Sequence, residues 1–241
     1  MSRGVWLRTP WSQPAPAAQD DALSSALSAA RLGGRYASTA RAFLPQLRRV
    51  EPSSELVWFA PEAVRAFLVT GRSSGAQPWF DLLSGAAGRD PKMARSLEQL
   101  MPVARLAGFA AADAWSTERL SDWWASVKDT EGARDKAAML IATLDALGEY
   151  APESMWVELI NGPSHQSILA PNPATWFLLN RASSQARVGE TVLLSWVSLS
   201  DGGPANAAPL IAHRVFKALR NVGLNDDVRA MALEAVVAAG L

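Results

Sequence analysis

The sequence predicts an all-α protein, a right-handed α-α solenoid of about six helical hairpins, and three observations carry that expectation. Apolar residues recur at helical spacing along most of the chain. Glycines punctuate the apolar helices at intervals of about 34–41 residues, the length of one helical hairpin. A large aromatic follows nearly every one of those glycines at a fixed distance.

Residues 1–19 contain Pro10, Pro14 and Pro16 and few core-forming side chains, which predicts an extended Pro/Ala-rich leader. A single helical repeat domain is expected over residues 20–241. Asp20 and Asp21 offer an N-cap and a favourable first-turn charge, and Leu23, Ala26, Leu27 and Ala30 then recur on one helix face. Gly33-Gly34 stops that helix, since glycine takes the left-handed conformation that closes a helix without steric penalty. The same stop is expected at Gly71, Gly108, Gly148, Gly189 and Gly223, with separations of 37, 37, 40, 41 and 34 residues.

Seven to nine positions beyond these glycines stand Phe43, Trp79 with Phe80, Trp115, Trp156 and Trp196, with Met231 in the sixth unit. Aromatics at 8% of the chain would fill a three-residue window about once in six trials by chance, so five of six is a pattern. The expected role is burial of a large side chain by the second helix of each hairpin. Turn clusters at Pro52, Gly85 to Pro91, Asn161-Gly162-Pro163 and Asp201 to Pro204 separate the units. Helix pairs are therefore expected over about 20–49, 54–84, 92–127, 133–160, 173–199 and 207–239. Pro45, Pro61 and Pro102 fall inside these spans and should each kink a helix or begin one. Thr191 to Val197 is the one β-like run, and its place in the period assigns it to a helix.

The last unit, from Phe216-Lys217-Ala218-Leu219 through Gly223 and Asn225-Asp226-Asp227 to Ala235, resembles the hairpins of tetratricopeptide-like α-solenoids. That resemblance implies scaffolding, with recognition of a peptide or protein on a concave face. It is specific in sequence over this unit and extends over the chain as a period.

Composition narrows the functional classes. Twenty-three basic residues balance twenty-three acidic ones, so no global field draws the protein to nucleic acid or an anionic membrane. With no cysteine, disulfides, thiolate metal sites and a cysteine nucleophile are excluded. Met1 to Pro10 lacks the apolar stretch of a signal peptide, so a soluble, cytoplasmic protein is expected from the sequence as it stands, or a periplasmic one if an export signal has been removed. The longest uncharged stretch, Leu159 to Asn180, is broken by Gly162, Pro163, Pro171 and Pro173 and predicts no transmembrane helix.

Little in the sequence points to chemistry. His165 stands beside Ser164 and Ser167, but a serine and its base normally meet across a fold, and no matching acid or Gly-x-Ser-x-Gly surrounds them. An enzyme or accessory domain acting near His165 is the alternative reading. His213 reads as a partly exposed or capped side chain on a helix. Asp20-Asp21 and Asn225-Asp226-Asp227 read as helix starts, not as metal ligands, and no cofactor motif is present.

The ten tryptophans are the surplus to explain. Trp58 and Trp176, beside Phe59 and Phe177, read as core. Trp123 and Trp124 point about 100° apart on a helix and cannot share one narrow buried face, so at least one is expected to be exposed. Trp6 and Trp11 lie in the leader with Arg8, the residue types that dominate interface hot spots. Trp6, Arg8, Trp11, Trp123 and Trp124 are thus the candidate partner-binding residues of a non-enzymatic, bacterial-type scaffold. A glycan contact by Trp123 or Trp124 is the remaining alternative.

Overall fold

Alanine and leucine are strong helix formers, and little in this chain competes with them. The computed structural model describes residues 16–109, 116–149, 151–160 and 172–241, and these are all-helical, with no strand among them. The described α-helices are α1 (Pro16–Leu32), α2 (Tyr36–Leu47), α3 (Ala60–Val69), α4 (Ser73–Ala87), α5 (Pro91–Leu106), α6 (Thr117–Val127), α7 (Ala133–Ala146), α8 (Glu153–Ile160), α9 (Pro173–Ser184), α10 (Val188–Leu199), α11 (Pro209–Asn221) and α12 (Asn225–Ala238). Short 3₁₀ segments, Ser54–Phe59 and Pro204–Asn206, precede α3 and α11. Residues 161–171, where His165, Ser164 and Ser167 stand, lie outside the described residues, as do Trp6, Arg8, Trp11 and Trp115.

Seven helices end by the same device. After α1 the Gly34 N–H donates to the Arg31 carbonyl and the Arg35 N–H to Ala30, a pair of bonds that satisfies carbonyls the helix end would leave open. The identical pair follows α3, α5, α7, α9, α11 and α12, closed at Gly71, Gly108, Gly148, Ala186, Gly223 and Gly240. All seven closing residues have positive φ, between 53° and 101°. The expected stop at Gly189 is corrected: Gly189 is the second residue of α10, and Ala186 takes the left-handed conformation at φ 53°. The first six closing residues are then separated by 37, 37, 40, 38 and 37 residues, more even than the glycines alone suggest.

The chain forms two compact units, Met1–Ala114 and Trp115–Leu241. In the first, α1 packs on α2, α2 on α3, α3 on α4 and α5, and α4 on α5. At its centre, α3 buries residues on every side, from Ala60 and Ala63 to Phe67 and Leu68, as a helix surrounded by others must. Phe59 and Trp79 meet edge to face at 5.6 Å between ring centroids, and Phe80 meets Phe109 at 5.2 Å. Buried Glu62 receives Arg65 Nη1 at 2.7 Å and lies 3.8 Å from Arg31, so α1 and α3 are tied by charge beneath the surface. The buried Tyr36 hydroxyl donates to the Glu62 carbonyl at 3.5 Å. Burial first, and the Glu62 carboxylate second, hold this phenol well above its ordinary range.

The second unit is centred on α7, which buries Ala137, Leu140, Ile141 and Leu144 and packs on α8, α11 and α12. Its broadest partner is α11, three helices further along the chain than its neighbour α8. Across that seam His213 Nε2 meets Asp145 Oδ2 at 2.6 Å, and an Arg220 N–H donates to the Ala146 carbonyl. His213 is half-buried there. The α9 and α10 helices pack on each other, and both lean on α11.

Other expectations meet mixed outcomes. Helix α1 begins at Pro16, four residues before Asp20, because proline is favoured in a first turn; Asp20 and Asp21 therefore lie inside the helix. Asn225 opens α12, with Asp226 and Asp227 in its first turn, where their charge suits the helix dipole. Pro61 stands at the start of α3, whereas Pro45 and Pro102 lie within α2 and α5. Thr191 to Val197 is helical. The aromatic rule holds for Phe43, Trp79 and Phe80, all buried, and fails for Trp156 and Trp196, which are exposed.

Candidate binding surface

The exposed large apolar side chains are unevenly placed. Among the described residues, Leu32 and Trp58 belong to the first unit, and eleven others lie between Trp156 and Leu210. Their densest group is the hairpin of α9 and α10.

Helix α10 is turned inside out. At 100° per residue, Thr191, Ser195, Ser198 and Leu199 share the face that packs inward, and all four are buried. Gly189, Leu193, Trp196 and Val197 lie on the opposite face with Val192 at its edge, and Val188 is exposed at the helix's N-terminal end. Trp196 is 70% exposed, Leu193 64% and Val197 63%. A helix of a water-soluble domain ordinarily places such residues against its neighbours and hydroxyls outside.

The inward hydroxyls add little adhesion. Thr191 Oγ1 donates to the Arg187 carbonyl at 2.9 Å and Ser198 Oγ to Leu194 at 2.7 Å, both within their own helix turn. Ser195 Oγ is buried without a hydrogen-bond partner. Helix α9 repeats the arrangement in milder form, burying Leu179, Ala182 and Ser183 while Phe177 stands 71% exposed. The hairpin is anchored on α11 by Asn221 Nδ2, which donates to Ser183 Oγ at 3.3 Å, and by the Arg214 guanidinium over the half-buried Trp176 ring, 5.3 Å from its centroid.

Charge is nearly absent from this surface. Within α10 the sole ionisable residue is Glu190, which pairs with Arg187 at 2.5 Å at the helix's N-terminal end. From Thr191 to Ser200 no residue is charged.

Of the sequence-derived candidates, Trp123 and Trp124 stand on α6, away from this hairpin, and Trp6, Arg8 and Trp11 lie outside the described residues. Trp123 is buried at 1% exposure, so it packs and presents no face to a partner or a sugar ring; Trp124 is half-buried beside it, its ring centroid 6.4 Å away. Of the two tryptophans that the sequence suggests are core, Trp58 is half exposed against Phe59 and Trp176 is half-buried. Spacing from a glycine marks a position along the chain and not a side of the helix, so it does not point to the α10 face. Its sequence signal is the segregation of hydroxyls at 191, 195 and 198 from large apolar residues at 188, 192, 193, 196 and 197.

A second concavity, of about 330 Å³, lies in the first unit between Arg48, Glu51, Phe67, Arg72, Gly75 and Trp79. Gly75 is required there, because a Cβ would stand 2.6 Å from the Phe67 ring. It holds no paired acid and base to move a proton. Among the described residues no three His, Asp or Glu side chains converge on a point that would hold a metal ion, and no helix is long and apolar enough to cross a membrane. Compared with models of known protein families, with curated proteins and with solved structures, the chain finds no match.

Proposed function

We propose that the protein is a non-enzymatic scaffold that binds a protein or peptide within a larger assembly, through the outward face of α10 and the neighbouring Phe177. The observation that carries this reading is the inverted helix itself, with Leu193, Trp196 and Val197 in water and hydroxyls beneath. Exposed apolar groups at such density lower solubility and stabilise nothing in the isolated chain, so their use lies in being covered. The partner contributes apolar side chains, since the face offers no counter-charge.

The same reading takes the first six helix closures as the stops within six hairpins of a tetratricopeptide-like solenoid, supported by their even separation once Ala186 replaces Gly189. The contact of α7 with α11 makes the second unit the less regular part of that array.

A photoreactive side chain at position 196, compared with one at exposed Lys217, tests the binding reading in cells. The expected result is a discrete crosslinked species from position 196 alone, removed by Leu193→Glu with Val197→Glu. Equal labelling from both positions would refute it.

A further inference from the structure

We infer that a second copy of this chain occupies the outward face of α10, the two α10 helices packing antiparallel about a two-fold axis with each Trp196 seated over the partner's Gly189. This rests on the binding reading above and names its occupant.

Area is the first argument. Aromatic side chains offer roughly 150–250 Å² each, so the exposed fractions of Val188, Val192, Leu193, Trp196 and Val197 amount to about 500 Å², or about 700 Å² with Phe177 and Leu178. The larger figure exceeds the largest apolar patch usual on a monomer, about 300–600 Å². It approaches the roughly 800 Å² that each partner contributes to a stable interface.

Charge is the second. The face is uncharged, Arg187 neutralises Glu190 at its edge, and the whole chain has a net charge of zero. Two copies meet without repulsion, whereas an acidic or basic peptide, or an anionic lipid surface, would find nothing to pair with.

Shape is the third. Gly189 is exposed within the helix, and a Cβ there would meet nothing within 4 Å. Glycine lowers helix propensity relative to alanine, and no neighbour in the chain requires it here. A two-fold axis passing between Val192 and Leu193 sets Gly189 opposite the partner's Trp196 and brings Val192 level with the partner's Leu193. The largest side chain of the face thus meets its one gap, twice. The i±4 ridges 188-192-196 and 189-193-197 supply the grooves for such packing, and an isologous contact closes on itself as a dimer.

Sedimentation velocity of the full chain from about 0.1 to 100 μM brackets the affinities usual for an interface of this area. The expected result is a dimer that dissociates on dilution. Leu193→Glu with Val197→Glu should be monomeric throughout, with unchanged far-UV circular dichroism. Gly189→Ala improves the helix but fills the gap, so it should weaken dimerisation at least about tenfold without lowering the monomer's melting temperature. Dimerisation of Gly189→Ala at wild-type strength would overturn the proposed register, and a wild-type chain monomeric at every concentration would overturn the dimer. In that last case, an unchanged melting temperature for Leu193→Glu leaves the face open and assigns it to an apolar helix of another protein. A lowered one means the chain's own residues cover it, and the binding reading falls as well.

Discussion

The two units use one kind of turn and build from it differently. In the first, α2 to α5 meet in chain order, and α3 is buried on all sides by the helices next to it in sequence. In the second, α7 takes the central place and meets α11, while the α9 and α10 pair between them in sequence leans on α11 from one side. The closing turns are interchangeable, so they do not decide which helices meet. Side-chain segregation does: α3 and α7 bury residues around most of their circumference and become centres, whereas α10 keeps its small hydroxyls inside and its apolar bulk outside. A regular backbone layout therefore permits a packed unit and a unit with an adhesive outer helix within one chain.

The largest expected effect separates two tryptophans. Trp79→Ala removes a buried ring from the first unit and should cost about 3–5 kcal/mol in urea unfolding, while Trp196→Ala in dilute protein should change stability by less than about 1 kcal/mol. Similar losses at both sites would erase the contrast between a core helix and an outer one. Next is the buried charge cluster. Glu62→Ala leaves Arg65 buried without its 2.7 Å partner and should cost about 3 kcal/mol, read from the same unfolding curves.

Tyr36 gives the cluster a pH signature. Its folded-state ionisation is shifted upward by burial, so the folded protein keeps a proton that the unfolded chain releases near the ordinary phenol value of 10.0. This contribution to stability is complete below that pH and is lost as the pH rises above it. Melting temperatures from pH 9 upward should fall more steeply for the wild type than for Tyr36→Phe, and parallel curves would remove the effect.

The smallest effect concerns the turns. Ala186 holds a left-handed conformation that penalises a Cβ, so Ala186→Gly should stabilise the second unit by about 1 kcal/mol. Gly71→Ala should lose about 1–2 kcal/mol in the first, although a Cβ there would meet nothing within 4 Å. Thermal unfolding of both variants measures whether the two units pay the same conformational cost at corresponding turns.

Much of the helical layout is legible in the sequence because helix propensity and glycine stops are local properties. The spans expected from spacing agree with the helices to within a few residues, even across the β-like run 191–197. The fifth closure was misplaced by three residues, since nothing local distinguishes an alanine forced into the left-handed region from any other alanine. The binding surface was harder to read for a different reason. Exposure depends on which helices pack together, and the contact of α7 with α11 is not written in any periodicity. Trp156 and Trp196 lie where the aromatic rule expects them along the chain, yet they face outward. In α10 the pattern of hydroxyls and large apolar residues is visible, but the usual rule for choosing the inner face would have been applied backwards.

The shared closing turn also bears on how this sequence can change over time. Each closure is made by backbone hydrogen bonds and demands only that its one closing residue tolerate positive φ, a demand that even alanine meets at position 186. Substitutions elsewhere can accumulate without shifting where one helix ends and the next begins. A chain organised in this way can keep its layout while its units diverge until they no longer resemble one another, leaving one unit free to become a dense core and another to carry an outward-facing helix.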